Sequence, residues 1–198
     1  IFDKKERVIL LQVKVGISNR HVHLKKEDLM VLFGSDYELE IARSLTQPGE
    51  FASTSKVKLV GPKGEIDNVR VLGPIRNYTQ VEISKTDSYF LGLNPPVRNS
   101  SDIVNSSPIT IVGPNGRLDL KEGCIIANRH LHLTKQDVID LGLSGLNKVK
   151  IKVINEKGGI LDNVYLKVSD NFKLECHLDT DDGNGNLLKS GDMVEIIK

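Results

Sequence analysis

The sequence predicts a mainly β protein, built as two small β-barrels related by internal duplication and each capped by short α-helices. Roughly ten short runs alternate apolar and polar residues between Gly-Pro and Asn-Gly turns such as Gly73-Pro74 and Gly113-Pro114-Asn115-Gly116, the signature of strands with one face in a core. Only two or three short helical patterns interrupt them, which favours barrels or sandwiches over layered α/β folds. The third observation is that one half of the chain repeats the other.

In chain order, the apolar run Val8 to Val15 is broken by Gln12 and Lys14, so it suits a strand and not a membrane span. Ser18-Asn19-Arg20-His21-Val22-His23-Leu24 follows, and Lys25 to Gly34 then reads as a helix stopped by glycine. Lys56-Val57-Lys58-Leu59 is an alternating strand that enters the turn Gly61-Pro62-Lys63-Gly64 and returns through Asp67-Asn68-Val69. Pro95-Pro96 to Pro108 is a polar loop within the first half. The phrase returns as Ala127-Asn128-Arg129-His130-Leu131-His132-Leu133, followed by a helix from Thr134 to Gly142 whose Thr134 and Asp137 form an N-cap pair. Lys148-Val149-Lys150-Ile151, the turn at Glu156-Lys157-Gly158-Gly159 and Asp162-Asn163-Val164 complete the echo. The two Asp-Asn-Val phrases set an offset of 95 residues, and the same offset carries Glu82, in Thr79-Gln80-Val81-Glu82-Ile83-Ser84, onto His177. No linker separates the halves.

The 198 residues fit one large domain or two small ones. With 27 basic against 26 acidic residues and no basic block, the footprint of a nucleic-acid binder is missing. No run has the length and apolarity of a membrane helix. The absence of a secretory signal and two cysteines without a shared motif point to a reducing, cytoplasmic compartment. Because the numbering opens on Ile1, the native start and any targeting segment are expected to be missing.

The chemistry lies in the five histidines. Residues i and i+2 of a strand face the same side, so each His-x-His offers two imidazoles to one ion. With the repeat-matched third partners, the sets are His21, His23 and Glu82, then His130, His132 and His177. A lone His-x-His is more often a core or surface pair; duplication with a matched third ligand reverses that balance. Such sets suit zinc and leave a position open for chemistry. Two histidines and a carboxylate also suit non-haem iron, which the all-histidine sister set disfavours. Neither Cys124 nor Cys176 falls at a ligand position, and Cys176 reads as buried filler. Gly16, His21, His23, Glu27 and Gly34 imitate the cupin metal pattern, but Glu27 falls in the first turn of a helix and is read as serving the helix dipole. Arg76 stands six residues before Glu82, on the same face if the strand is regular; a guanidinium beside metal ions implies an anion between them.

Together these residues resemble the phosphate propanoyltransferases, the PduL-type phosphotransacylases. The resemblance rests on Val15 to Leu24, Leu45-Thr46-Gln47-Pro48-Gly49, Val69-Arg70-Val71-Leu72-Gly73-Pro74 with Thr79 to Ser84, Ala127 to His132, and His177-Leu178-Asp179-Thr180-Asp181. It implies a first barrel from residues 20–127, and a second in which an N-terminal strand within residues 1–19 joins residues 128–198. It implies two zinc ions on the six ligands above, with reversible exchange of short-chain acyl-CoA (propanoyl or acetyl) and phosphate with acyl phosphate and CoA. It places the phosphate-contacting arginine on Arg76 and coenzyme A contacts on Ser18, Arg43, Arg70 and Asn184. Glu50 and Ser53 stand where the family usually has Gln and Ala, and Asp182-Gly183-Asn184-Gly185 where it has Glu-Ala-Asn-Ala. The partners implied are small molecules, with no nucleic acid or membrane; a homodimer and the shell or lumen of a bacterial microcompartment stay open. From the residues alone, a di-metal hydrolase of phosphoesters or thioesters and a non-enzymatic ligand-binding double barrel are the competing classes.

Overall fold

The computed structural model describes residues 11–198, so residues 1–10 of the expected N-terminal segment lie outside the described residues. The first barrel is a closed ring of β2 (His21–His23), β4 (Phe51–Val60), β5 (Glu65–Gly73), β6 (Gln80–Glu82), β8 (Ser107–Val112) and β9 (Arg117–Ala127), in the order β4-β5-β2-β6-β9-β8. Two further strands, β3 (Ile41–Ser44) and β7 (Val97–Arg98), add to β4 and β9. The second ring is β1 (Gln12–Ser18), β10 (His130–Leu133), β11 (Lys148–Val153), β12 (Ile160–Val168), β13 (Glu175–Asp179) and β14 (Met193–Ile197), in the order β11-β12-β10-β13-β1-β14. Parallel and antiparallel pairings match position for position around the two rings. The duplication therefore reaches the level of topology.

The chain changes barrels twice, at Asn19-Arg20 between β1 and β2 and at Asn128-Arg129 between β9 and β10. The repeated Asn-Arg phrases are these crossovers. Arg20 grips Asp87 with Nε at 2.9 Å and Nη2 at 2.8 Å; Arg129 grips Asp182 with both nitrogens at 2.7 Å. Asp87 and Asp182 are again 95 residues apart, each in the first turn of the helix that follows the third-ligand strand. The repeated Asn68 and Asn163 have φ of 59° and 56°, each beside a one-residue bulge in register. Asparagine tolerates that left-handed backbone better than other side-chain-bearing residues.

Period-2 alternation separates core from site. Val22, Leu24 and Val81 enter the first barrel's core, and Leu131, Leu133, Cys176 and Leu178 enter the second's. Each Leu or Val so buried contributes roughly 1.5–3 kcal/mol relative to exposure. His21, His23 and Glu82, and His130, His132 and His177, point from the opposite faces of those strands, and all but His177 are nonetheless buried. His21 and Glu82 of the first barrel and His130 and His177 of the second border one small cavity, so these side chains meet between the barrels.

Among the described residues four helices cap the rings: α1 (Lys26–Phe33), α2 (Lys85–Leu91), α3 (Lys135–Asp140) and α4 (Thr180–Gly185). The expected capping box of α3 is present, Thr134 and Asp137 bonding reciprocally, and Gly142 follows at φ 60°. Beyond the expected two or three, α4 is built from Thr-Asp-Asp-Gly-Asn-Gly, poor helix formers, and is capped by Asp179, which accepts the Asp182 N–H. Among the described residues no helix is long and apolar enough to cross a membrane.

Candidate metal centre

In each barrel the third partner lies directly across the sheet from the first histidine. His21 is in register with Glu82, and His130 with His177. In both groups the ligand atoms lie within 4.8 Å of one another. His21 Nε2 is 3.5 Å from Glu82 Oε2, and His130 Nε2 is 3.1 Å from His132 Nε2. Two nitrogens sharing a tetrahedral ion at ~2.0–2.1 Å would be about 3.3 Å apart, so the spacing fits a shared cation.

The surrounding hydrogen bonds fit the same assignment. His21 Nδ1 donates to the Asn19 carbonyl at 2.8 Å and His130 Nδ1 to the Asn128 carbonyl at 2.7 Å, which fixes one tautomer and leaves Nε2 with its lone pair. His23 and His132 each bury an Nδ1 with no partner, an expensive arrangement unless something else occupies the ring. The Glu175 carboxylate accepts from His177 Nε2 at 2.7 Å, leaving Nδ1 for an ion. The chain leaves room for Glu175 at Gly16, the register partner of His177: a Cβ there would lie 3.0–3.3 Å from the Glu175 carboxylate.

Burial disfavours the charged form of three of the rings. Burial, then His21, depresses His23 to about 3; burial, then His177, depresses His132 to about 3; burial, then Lys167, holds His130 well below its ordinary value. Burial alone would raise Glu82, but His21, His23 and Lys167 draw it below the usual carboxylate range. Neutral imidazole and ionised carboxylate are the states that ligate metal.

A small cavity between the crossovers is bordered by His21 and Glu82 of one triad and His130 and His177 of the other. Beside it opens a cleft of about 610 Å³ that His21, His177 and Glu175 also line. Ser18, Arg43 and Arg70 line this cleft as well; Asn184 is exposed on α4 and outside its lining. Arg76 lies close enough to His23 and Lys167 to influence both, but not by the strand parity expected, because the chain bends at residues 77–78. Instead Arg76 N–H donates to the Leu24 carbonyl at 2.9 Å, docking it beside the end of β2. Glu27 is exposed on α1 and belongs to neither ligand group.

Two residues here were missed in the sequence, and a third, Glu50, was noted there only as a departure from the family pattern. Lys167 is the register partner of His132 across β10 and β12. Glu175 sits two residues before His177 and pairs with His132; its same-face spacing was readable. The Glu50 carboxylate accepts from Arg76 Nη2 at 2.6 Å. Both cysteines are fully buried, and burial pushes each thiol up to about 12.

A family model described as phosphate propanoyltransferase matches residues 14–189. Proteins named phosphate propanoyltransferase are similar to this chain: one from Thermotoga maritima is 50% identical over 93% of this chain and 88% of its own length. One from Priestia megaterium is 49% identical over 91% and 83%, and one from Rhodopseudomonas palustris 41% over 94% and 83%.

Proposed function

The chain belongs to the phosphate propanoyltransferase family, and on that premise we propose that it moves a short acyl group, propanoyl or acetyl, reversibly between coenzyme A and inorganic phosphate with two zinc ions at the triads. The observation that carries this reading is that His21 of one triad and His177 of the other face one large cleft. His21, His23 and Glu82 would hold one ion, and His130, His132 and His177 the other. When bound, the ions would supply Lewis acidity to an acyl or phosphate oxygen and favour the thiolate form of the coenzyme.

The chain's own residues do the rest. Ser18, Arg43 and Arg70 would hold coenzyme A along the cleft, with Asn184 at its margin. Arg76 would hold phosphate beside the acyl carbon, converting a bimolecular encounter into a positioned one. The phosphate oxygen then attacks the acyl carbon, the C–S bond breaks, and coenzyme A leaves as thiolate. Direct attack without a covalent acyl-enzyme is the simpler course: the histidines would be committed to ligation, and burial pushes both cysteine thiols up to about 12.

Thiol release from acyl-CoA, measured with and without phosphate, tests the reading. Release that requires phosphate supports it; equal release without phosphate makes the protein a hydrolase, and none makes it a binder. Arg76→Ala should raise the KM for phosphate and lower turnover while two zinc ions per chain are retained. Acyl exchange in the absence of phosphate would contradict direct attack.

A further inference from the structure

We propose that Glu50 is a specificity-determining residue: its carboxylate occupies half of the Arg76 fork, so phosphate must displace it, and Glu50 thereby sets the phosphate concentration at which the enzyme works. This inference rests on the phosphate-transfer reading above. The protein supplies its own standard for comparison. Arg20 and Arg129, the two crossover arginines, each engage one carboxylate through both Nε and Nη2. That parallel pair of N–H groups is the edge of a guanidinium that matches a carboxylate or phosphate. Arg76 departs from this pattern. Its Nη2 donates to Glu50 Oε1 at 2.6 Å, while its Nε is buried without any partner.

The half-filled fork points to an anion. A buried N–H with no acceptor is costly, and a tetrahedral oxyanion in the same plane would satisfy Nε and Nη2 together. Glu50 is placed to yield. Its backbone is fixed at the end of the loop joining β3 to β4, donating to the Gln47 carbonyl at 3.1 Å. Gln47 is itself pinned to the second barrel through both Lys173 backbone groups. The Glu50 side chain, by contrast, is 30% exposed and borders the cleft, so it can swing into solvent while its backbone stays put.

Glu50→Gln keeps the shape and removes the competing charge. The expected result is a KM for phosphate lowered about three- to ten-fold, the range open to a partly exposed ion pair, with the KM for acyl-CoA changed less than about two-fold. Glu50→Asp, which withdraws the carboxylate from the fork, should move the phosphate KM in the same direction. In an Arg76→Ala background the effect of Glu50→Gln should vanish. Phosphate-dependent release with an unchanged or raised phosphate KM in both Glu50 variants overturns this inference alone. Release by the wild-type protein that ignores phosphate overturns the functional reading and this one with it.

Discussion

The two triads sit at equivalent places on equivalent strands, and each has a single carboxylate close by, but in a different position. In the first, the carboxylate is the third ligand, Glu82, and the residue two before it is Gln80, whose amide donates to Glu82 at 2.7 Å. In the second, the third ligand is the imidazole of His177, and the residue two before it is Glu175, bonded to it at 2.7 Å. Gln80 and Glu175 are repeat partners. Duplication thus kept one carboxylate at each proposed ion site, and in the second barrel set it behind an imidazole ring. A carboxylate touching the ion lowers its effective charge directly; one behind an imidazole makes the ring a stronger donor and keeps it oriented. The second neighbourhood also carries Lys167 beside His132, at the repeat position of the apolar Leu72. The paired sites are chemically unequal in the residues that surround them.

The largest effects should follow from removing third ligands. His177→Ala and Glu82→Ala should each reduce bound zinc from about two per chain to about one and lower phosphate-dependent thiol release by about 10³-fold or more. Metal analysis decides whether the sites are separable: retention of both ions in His177→Ala would remove the second triad, and loss of both would make the two sites a single unit.

Acid should come next. In the chelated protein, His23, His130 and His132 have folded values far below the 6.5 of an unfolded histidine. The unfolded chain therefore takes up protons that the folded one refuses, and stability falls as pH drops below about 6.5 toward 3. The depressed Glu82 acts in the same sense at lower pH. Two of the three histidines are in the second barrel, so amide exchange in β10 and β13 should lose protection before β2 and β6. A melting temperature constant between pH 7.5 and 5 in the chelated protein would contradict the neutral, buried rings.

How much of this was legible depends on distance along the chain. The ligand residues were readable because strand alternation and the repeat are local or self-referential: His21 and His23 share a face by parity, and the offset of 95 residues found His177 from Glu82. That offset also joins Asp87 to Asp182, so the crossover clamps were within reach but unused. Lys167 and Glu50 were not legible, because they reach the site only through parallel pairing of β12 with β10 and through a loop folded against Arg76. Arg76 was picked out by the family resemblance and by a regular-strand premise, and the bend at residues 77–78 removes the second.

Glu175→Gln should be milder than losing a ligand. It keeps the volume beside Gly16 but replaces a charged acceptor with a neutral one, and losses of this kind cost about 10- to 100-fold in metal affinity. The loss should be confined to one of the two ions. With cobalt in place of zinc, the visible spectrum should change for one site per chain. Gln80→Ala, the matching change in the first barrel, should cost less, because the carboxylate there contacts the ion itself. Equal losses for both variants would mean that the position of the carboxylate does not matter.

The smallest contrast lies just beyond the histidines, where the repeat begins its helices. Thr134 caps α3 in a reciprocal box with Asp137, whereas the equivalent Lys25 gives α1 no side-chain cap. The residue matching Asp137 is Asp28, and it is occupied instead by the Thr79 hydroxyl at 2.6 Å. The helices therefore draw on different supports: α1 buries Leu29, Leu32 and Phe33 against the first core, while α3 buries no residue fully. Thr134→Ala should consequently cost about 1 kcal/mol, lowering the melting temperature by about 2–4 °C for a chain of this size, with metal content and kinetics unchanged. Lys25→Ala, which removes no cap, should shift it by much less. Equal shifts in thermal denaturation would mean that packing, and not the cap, starts both helices.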